Sequence, residues 1–108
     1  MEEADSVFSK WIRKRDEYAC VLASVKCKGP LQNSHLIKRG KKSVRFSEIN
    51  CNANCSHHNF NHNFHPQEYT NWFIKKFGAE VYNNLVQESE ILKKWTRIEL
   101  LEIIEKYK

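Results

Sequence analysis

The feature that most constrains this chain is its polar middle segment, residues 19–65. The segment contains all four cysteines and all five histidines of the 108-residue sequence, together with most of its asparagines. It has too few aliphatic side chains to build an ordinary hydrophobic core. Metal binding can supply the folding free energy that such a segment lacks. We therefore expect a metal ion to hold this segment together.

The cysteine and histidine spacing predicts a structural zinc site. Cys55 and His58 are three residues apart, so a tight turn lets both side chains bind one zinc ion. The ion needs two more ligands, and Cys20 and Cys27 are the natural ones, although six residues separate them. Cys51 is the alternative, because it forms a C-x3-C pair with Cys55. We favour Cys55 with His58. In a reducing compartment, four cysteines indicate metal ligation rather than disulfides.

The segment before the polar middle, residues 5–18, has the pattern of an amphipathic helix. Asp5 or Ser6 can cap it, and apolar residues follow at helical spacing. Its lysines and arginines, Lys14 among them, supply a basic surface. The pattern therefore predicts an N-terminal helix that docks with one face and exposes a charged one.

The segment after the polar middle, residues 66–108, predicts three helices. Pro66 suits the first turn of a helix, and Gly78 is a natural stop for it. A short helix from 79 to about 87 follows. A third helix is expected from about Ile91, with apolar residues along one face.

Short strands are expected inside the polar segment, at 32–37 and 44–49, with a turn-like basic run between them. Strands in the middle with helices on both sides indicate an α+β protein. The length fits one domain, 1–108. We expect an N-terminal helix, then a zinc-stapled core from 19 to 65, then a helical C-terminal part.

The charge balance favours nucleic acid as the partner. The formal net charge is +5, which suits a polyanion. The acidic N-terminus does not have the pattern of a signal peptide, and no apolar run is long enough for a membrane span. We therefore expect a cytoplasmic protein. The basic side chains expected to contact DNA are Arg39, Lys41, Lys42, Arg45 and Lys14.

A second set of residues indicates chemistry. It runs in the order His35, Asn50, Cys55, His58, Asn59 and Asn63. Asn59 and Asn63 are one helical turn apart, and their amide oxygens suit Mg²⁺ or Mn²⁺. His35, on the first strand, can take a proton from an attacking water. Asn50, at the end of the second strand, can bridge backbone groups of the loop beside His35.

This spacing resembles that of the HNH, or ββα-metal, endonucleases. The resemblance implies that His35 is the general base and that Asn50 orients its loop. It implies that Asn59 binds a catalytic Mg²⁺ or Mn²⁺, with Asn63 or His62 as a secondary ligand. The implied fold is a small ββα-metal core with a zinc knuckle, flanked by an N-terminal helix and C-terminal helices.

A narrower resemblance covers residues from about 8 to 78. The run from Phe8 to Asp16, Ser34-His35, Arg45-Phe46 and Phe77-Gly78 are similar to the NinG/Rap family of phage recombination endonucleases. That family implies a nuclease acting on branched DNA, including Holliday junctions and D-loops. Two symmetric nicks require a homodimer, and the helix from about 91 is the candidate dimer surface.

The sequence departs from these families at the metal sites. Ser34 stands where many HNH enzymes carry an aspartate ligand, and Asn33 and His62 are possible substitutes. His58 replaces the last cysteine of the usual zinc set. Two alternatives therefore stay open. One is an HNH nicking or site-specific endonuclease on duplex DNA, and the other is a non-catalytic zinc-containing module that binds nucleic acid.

Overall fold

The computed structural model describes all residues, 1–108. It contains five α-helices and one two-stranded antiparallel sheet, which confirms the predicted α+β class. The elements are α1 (Glu2–Arg15), β1 (Leu31–His35), a 3₁₀ helix (Lys42–Val44), β2 (Cys51–Cys55), α2 (Ser56–Asn61), α3 (Gln67–Phe77), α4 (Ala79–Ser89) and α5 (Arg97–Tyr107).

The N-terminal helix is three residues earlier than predicted. Instead of spanning 5–18 with a cap at Asp5 or Ser6, α1 begins at Glu2. The three acidic residues of its first turn favour that start, because negative charge is stabilised at a helix N-terminus. The helix ends at Arg15, and the chain then turns through Glu17 and Tyr18, both with φ of 56°.

The predicted second strand at 44–49 is wrong. The strand lies at Cys51–Cys55 and pairs with β1 so that His35 faces Cys51. Val44 and Phe46 alternate like strand residues, but they belong to two separate hydrophobic clusters. Because the two side chains pack in different hydrophobic clusters, the segment forms a 3₁₀ turn and a loop instead of a strand. Asn50 therefore precedes the second strand and does not end it.

The C-terminal helices follow the prediction except at one boundary. Gly78, with φ of 93°, separates α3 from α4. The last helix was expected from about Ile91 but begins at Arg97. Thr96 accepts a hydrogen bond from the Glu99 backbone N–H, and the Glu99 side chain returns one, which is a capping box.

Two hydrophobic clusters lie on either side of the sheet. One joins α1 to α5, where the rings of Phe8 and Tyr107 are 4.8 Å apart. The other packs Leu36 and Val44 against Phe73 of α3. Only 20 of 108 residues are buried, so the apolar core is small for the chain. A metal site would add stability to such a fold. None of the helices has the length and apolar character needed to cross a membrane.

Candidate metal centre and active-site cleft

The predicted zinc ligands come together in space. The ligand atoms of Cys20, Cys27, Cys55 and His58 all lie within 4.8 Å of one another. His58 Nδ1 is 3.5, 3.6 and 3.1 Å from the sulfurs of Cys20, Cys27 and Cys55. Tetrahedral zinc would hold sulfur and nitrogen ligands about 3.5 Å apart. One ring nitrogen cannot form hydrogen bonds with three thiols at once, so the cluster fits a metal ion such as zinc.

The ligands are positioned by a loop that runs beside the junction of β2 and α2. The Ser56 N–H donates to Pro30 O at 2.8 Å, and the His57 N–H donates to Lys28 O at 3.0 Å. Gly29, with φ of 83°, fits this close approach, because a Cβ there would lie 1.9 Å from Ser56 Oγ. The loop holds Cys27 near Cys55 despite the long spacing from Cys20.

The alternative ligand, Cys51, is not part of the cluster. It is fully buried, and its thiol donates to the Arg45 carbonyl at 3.6 Å. Burial alone would raise the pKa of the Cys55 thiol. Hydrogen bonds from the backbone N–H groups of His58 and Lys28 and from the side chains of His58 and Cys27 together outweigh burial and lower the pKa to about 6. The thiolate is the form that binds metal, and Cys55, not Cys51, lies in the cluster that could hold one.

The far nitrogen of His58 has partners that the sequence did not indicate. Nε2 lies 3.3 Å from Ser24 Oγ and 3.8 Å from a carboxylate oxygen of Glu68 on α3. Metal-binding histidines commonly donate their second N–H to a carboxylate, which orients the ring. No ligand-like spacing links Glu68 to the cluster, so only the packing of α3 brings it there.

A separate cleft of about 790 Å³ lies between α1, β1 and α2. It brings together four of the predicted catalytic and metal-binding residues, namely His35, Asn59, His62 and Asn63. Asn63 lies in the turn after α2, not within the helix, yet it lines the same cleft as Asn59. Asn50 does not line it and lies buried beneath the loop between the strands.

His35 is held by one ring nitrogen. Nε2 donates to the Arg45 carbonyl at 2.9 Å, because a carbonyl can only accept. In the neutral ring, Nδ1 then carries the lone pair. Burial lowers the pKa of His35 below its ordinary value of 6.5, so the ring is neutral near pH 7.

Asn50 ties the loop behind His35 together. Its Oδ1 accepts from the Ile37 N–H at 2.8 Å. Its Nδ2 donates to the carbonyls of Ile37 and Val44 at 3.0 and 3.1 Å. Asn50 therefore bridges the backbone groups of the loop as predicted, although it lies before β2 and not at the end of a strand.

Two buried acceptors at the cleft have no protein partner. His62 donates from Nε2 to Leu36 O at 2.8 Å, which leaves its buried Nδ1 unpaired. Asn33 Oδ1 is also buried and unpaired, and both residues line the cleft. Buried polar atoms are normally satisfied, and a buried water molecule can satisfy acceptors such as these two.

The amide of Asn59 is engaged at both ends. Its oxygen accepts from Ser34 Oγ at 2.8 Å, and its nitrogen donates to Gln32 Oε1 at 2.8 Å. A carbonyl oxygen has two lone pairs, so the Asn59 oxygen can still accept a second contact. Ser34 therefore positions the Asn59 side chain, and Asn59 remains the candidate metal ligand.

Comparison with known families gives one match. The family model described as "NinG: Bacteriophage Lambda NinG protein" matches residues 1–108. The chain belongs to the NinG family. The match covers the whole chain, beyond the stretch from about 8 to 78 that carried the resemblance. Comparisons with curated proteins and with solved structures give no significant match.

The cleft of this NinG-family chain is cationic. Arg13, Lys38 and Arg39 line it. Asp5 is the one carboxylate among its lining residues, and that carboxylate pairs with the Arg45 guanidinium through Nε at 2.9 Å and through a second, shorter contact. The cleft therefore presents cationic side chains without competing free carboxylates, which suits phosphate groups.

Most of the side chains predicted to contact DNA lie outside the cleft. Of the five, only Arg39 lines the cleft. Arg45 is mostly buried against Asp5, and Lys41 lies 3.6 Å from Glu90. Lys14 and Lys42 are exposed and outside the cleft lining. Their contacts with DNA stay predictions.

Arg13 and Lys38 were not among the predicted site residues. Asp5, Ser9 and Arg13 are four residues apart in turn on α1, so they share one helix face. That spacing was a usable signal for Arg13. For Lys38 the only signal is its position beside Arg39.

Proposed function

We propose that this NinG-family protein is a metal-dependent DNA endonuclease of the HNH type. In this proposal β1, β2 and α2 form the ββα-metal core. The substrate is branched DNA, such as a Holliday junction or a D-loop in phage recombination. The observation that carries the proposal is His35, a neutral imidazole anchored at Nε2, in a cationic cleft with Asn59, His62 and Asn63.

The chemistry assigned to His35 is general base catalysis. Its Nδ1 takes a proton from a water molecule, the water oxygen attacks phosphorus, and the ester bond to the leaving oxygen breaks. The carbonyl of Arg45 and the bridge made by Asn50 hold the imidazole during this step. Arg13, Lys38 and Arg39 bind the flanking phosphates.

A hard cation, Mg²⁺ or Mn²⁺, is part of the proposal. The residues that would hold it are Asn59 and a further ligand from Asn63, His62 or Asn33, all of which line the cleft. When bound, such a cation stabilises negative charge that develops on the phosphate. The zinc cluster is separate from this cleft and would serve the fold.

A homodimer in the host cytoplasm completes the proposal. Symmetric nicks in a four-way junction need two active sites. On α5, Ile98 and Leu101 are 70% and 53% exposed, which supports this helix as the subunit interface. Light scattering of the purified protein would report the subunit number.

The deciding experiment compares cleavage of a synthetic four-way junction with cleavage of its linear arms. The zinc-loaded protein should cut the junction faster, and only with added Mg²⁺ or Mn²⁺. His35→Ala should lower the rate by about 10²-fold or more, because a general base contributes about that factor. His65→Ala is the matched control, since His65 is exposed and outside the cleft lining. Equal rates on both substrates would remove the preference for branched DNA.

One observation favours a second candidate, a non-catalytic zinc-containing module that binds nucleic acid. Both ends of the Asn59 amide are occupied by Ser34 and Gln32. In that case the wild-type protein binds DNA but shows no metal-dependent nicking that His35→Ala abolishes. Cuts at fixed sequences in plasmid DNA would instead indicate a site-specific HNH endonuclease.

A further inference from the structure

A smaller pocket of about 360 Å³ adjoins the cleft. Its lining consists of Gln32, Ser56, Asn59, Phe60 and Asn63. Gln32, Asn59 and Asn63 line the cleft as well. The cleft and this pocket are therefore neighbours, with these three side chains in common.

Two phenylalanine rings lie in solvent near this pocket, Phe60 in its lining and Phe64 beside Phe60. Phe60 and Phe64 are 66% and 65% exposed, and neither belongs to a hydrophobic cluster of the fold. Their ring centroids are 5.3 Å apart, with Phe60 on α2 and Phe64 in the turn that follows it. Exposed rings grouped beside a functional cleft are typical of a binding surface.

The side chains near Phe60 and Phe64 indicate which kind of ligand binds these rings. Aromatic rings stack on nucleobases that have left the duplex stack. Amide side chains such as those of Gln32 and Asn63 can form hydrogen bonds with base edges. The adjoining cleft carries the cations that a phosphate backbone needs. An apolar protein partner would use the rings but would have no use for the amides and the cations.

We propose that Phe60, Phe64 and this pocket receive an unstacked nucleobase beside the phosphate in the cleft. The inference rests on the proposed function in one respect, because it takes the cleft to be a DNA site. Bases are already unstacked, or easily unstacked, where duplexes meet at a branch. The pocket would therefore select DNA by the availability of an open base and not by its sequence.

The test measures binding without cleavage, in buffer with no added divalent cation. A four-way junction carries a fluorescent adenine analogue at its centre, whose emission is quenched by neighbouring bases and rises when the analogue leaves the duplex stack. A second probe carries the analogue inside continuous duplex. The wild-type protein should raise the emission of the junction and bind the junction more tightly than the duplex.

Two double variants examine the rings. Phe60→Ala with Phe64→Ala should abolish the emission rise and weaken junction binding by at least about fivefold, the lower end expected for one lost stacking contact. Phe60→Leu with Phe64→Leu keeps apolar area but removes the aromatic faces, and it should lose affinity as well. Leu92→Ala, at a side chain that is 98% exposed and outside both pockets, should behave as wild type.

The outcomes separate this inference from the endonuclease proposal. Junction nicking without an emission rise would overturn the base pocket alone. An emission rise without any metal-dependent nicking would overturn the endonuclease and support the base pocket. Leucine variants that bind as tightly as wild type would overturn stacking. A dimer that becomes a monomer in the alanine variant would show that the rings contact a second copy, which also overturns the inference.

Discussion

Replacing Asn50 with alanine tests how the loop beside His35 is held in place. The Asn50 side chain is fully buried and makes three hydrogen bonds to backbone groups of Ile37 and Val44. Alanine removes all three and leaves one N–H and two carbonyls without these partners. The loop connects the strand that carries His35 to the strand that leads into the zinc cluster.

The expected loss follows from those three bonds. Each buried hydrogen bond stabilises a fold by about 1 kcal/mol net, and a buried group left unpaired costs about 1–3 kcal/mol. Asn50→Ala should therefore lower the free energy of unfolding by about 3 kcal/mol. That is a large part of the total of about 5–15 kcal/mol that folded domains have. The remaining folded protein should also nick DNA more slowly, because the Arg45 carbonyl that anchors His35 lies in the same loop.

Equilibrium urea unfolding of zinc-loaded protein measures this loss. Asn83→Ala is the matched control, because Asn83 is exposed on α4, where alanine is the better helix former. Its free energy of unfolding should stay within about 0.5 kcal/mol of the wild-type value. An Asn50→Ala protein within that same margin would refute the reasoning, since its three bonds would then contribute nothing net.

Three further predictions concern the metal centre and the base. Gly29→Ala should lower the free energy of unfolding by about 1–3 kcal/mol, because φ is 83° and the new Cβ would meet Ser56 Oγ; no change in urea unfolding would contradict this. Cys55→Ala should lose bound zinc in elemental analysis and melt at a lower temperature. Cys51→Ala is the control and should keep its zinc. Full metal content in the Cys55 variant would disprove the ligand set. For the proposed endonuclease, the junction-nicking rate should fall as the pH drops, with a midpoint below 6.5, because the pKa of His35 is lowered from 6.5 and a protonated ring cannot act as a base; a midpoint above the ordinary histidine value would contradict this.

Half of the candidate metal ligands were predictable from a local signal. Cys55 and His58 are three residues apart on one turn, and the polar segment around them has few aliphatic side chains. The break between α3 and α4 was predictable for the same reason, since Gly78 has the conformational freedom to stop a helix. The start of α5 was also readable, because Thr96 and Glu99 have the spacing of a capping box. We placed that start too early by following the apolar pattern alone.

The second strand and the lining of the cleft depended on tertiary structure. Val44 and Phe46 have strand-like alternation, and only the position of two separate cores shows that they diverge. Arg45 and Arg39 look equivalent in sequence, yet the packing of α1 pairs one with Asp5 and leaves the other at the cleft. The Cys55–His58 pair and the capping box act between neighbours along the chain, so the sequence by itself determined them, whereas Cys20 and Cys27 reach the cluster only through the fold. Which charges remain free at a surface depends on how distant segments pack, and only the folded chain decides that.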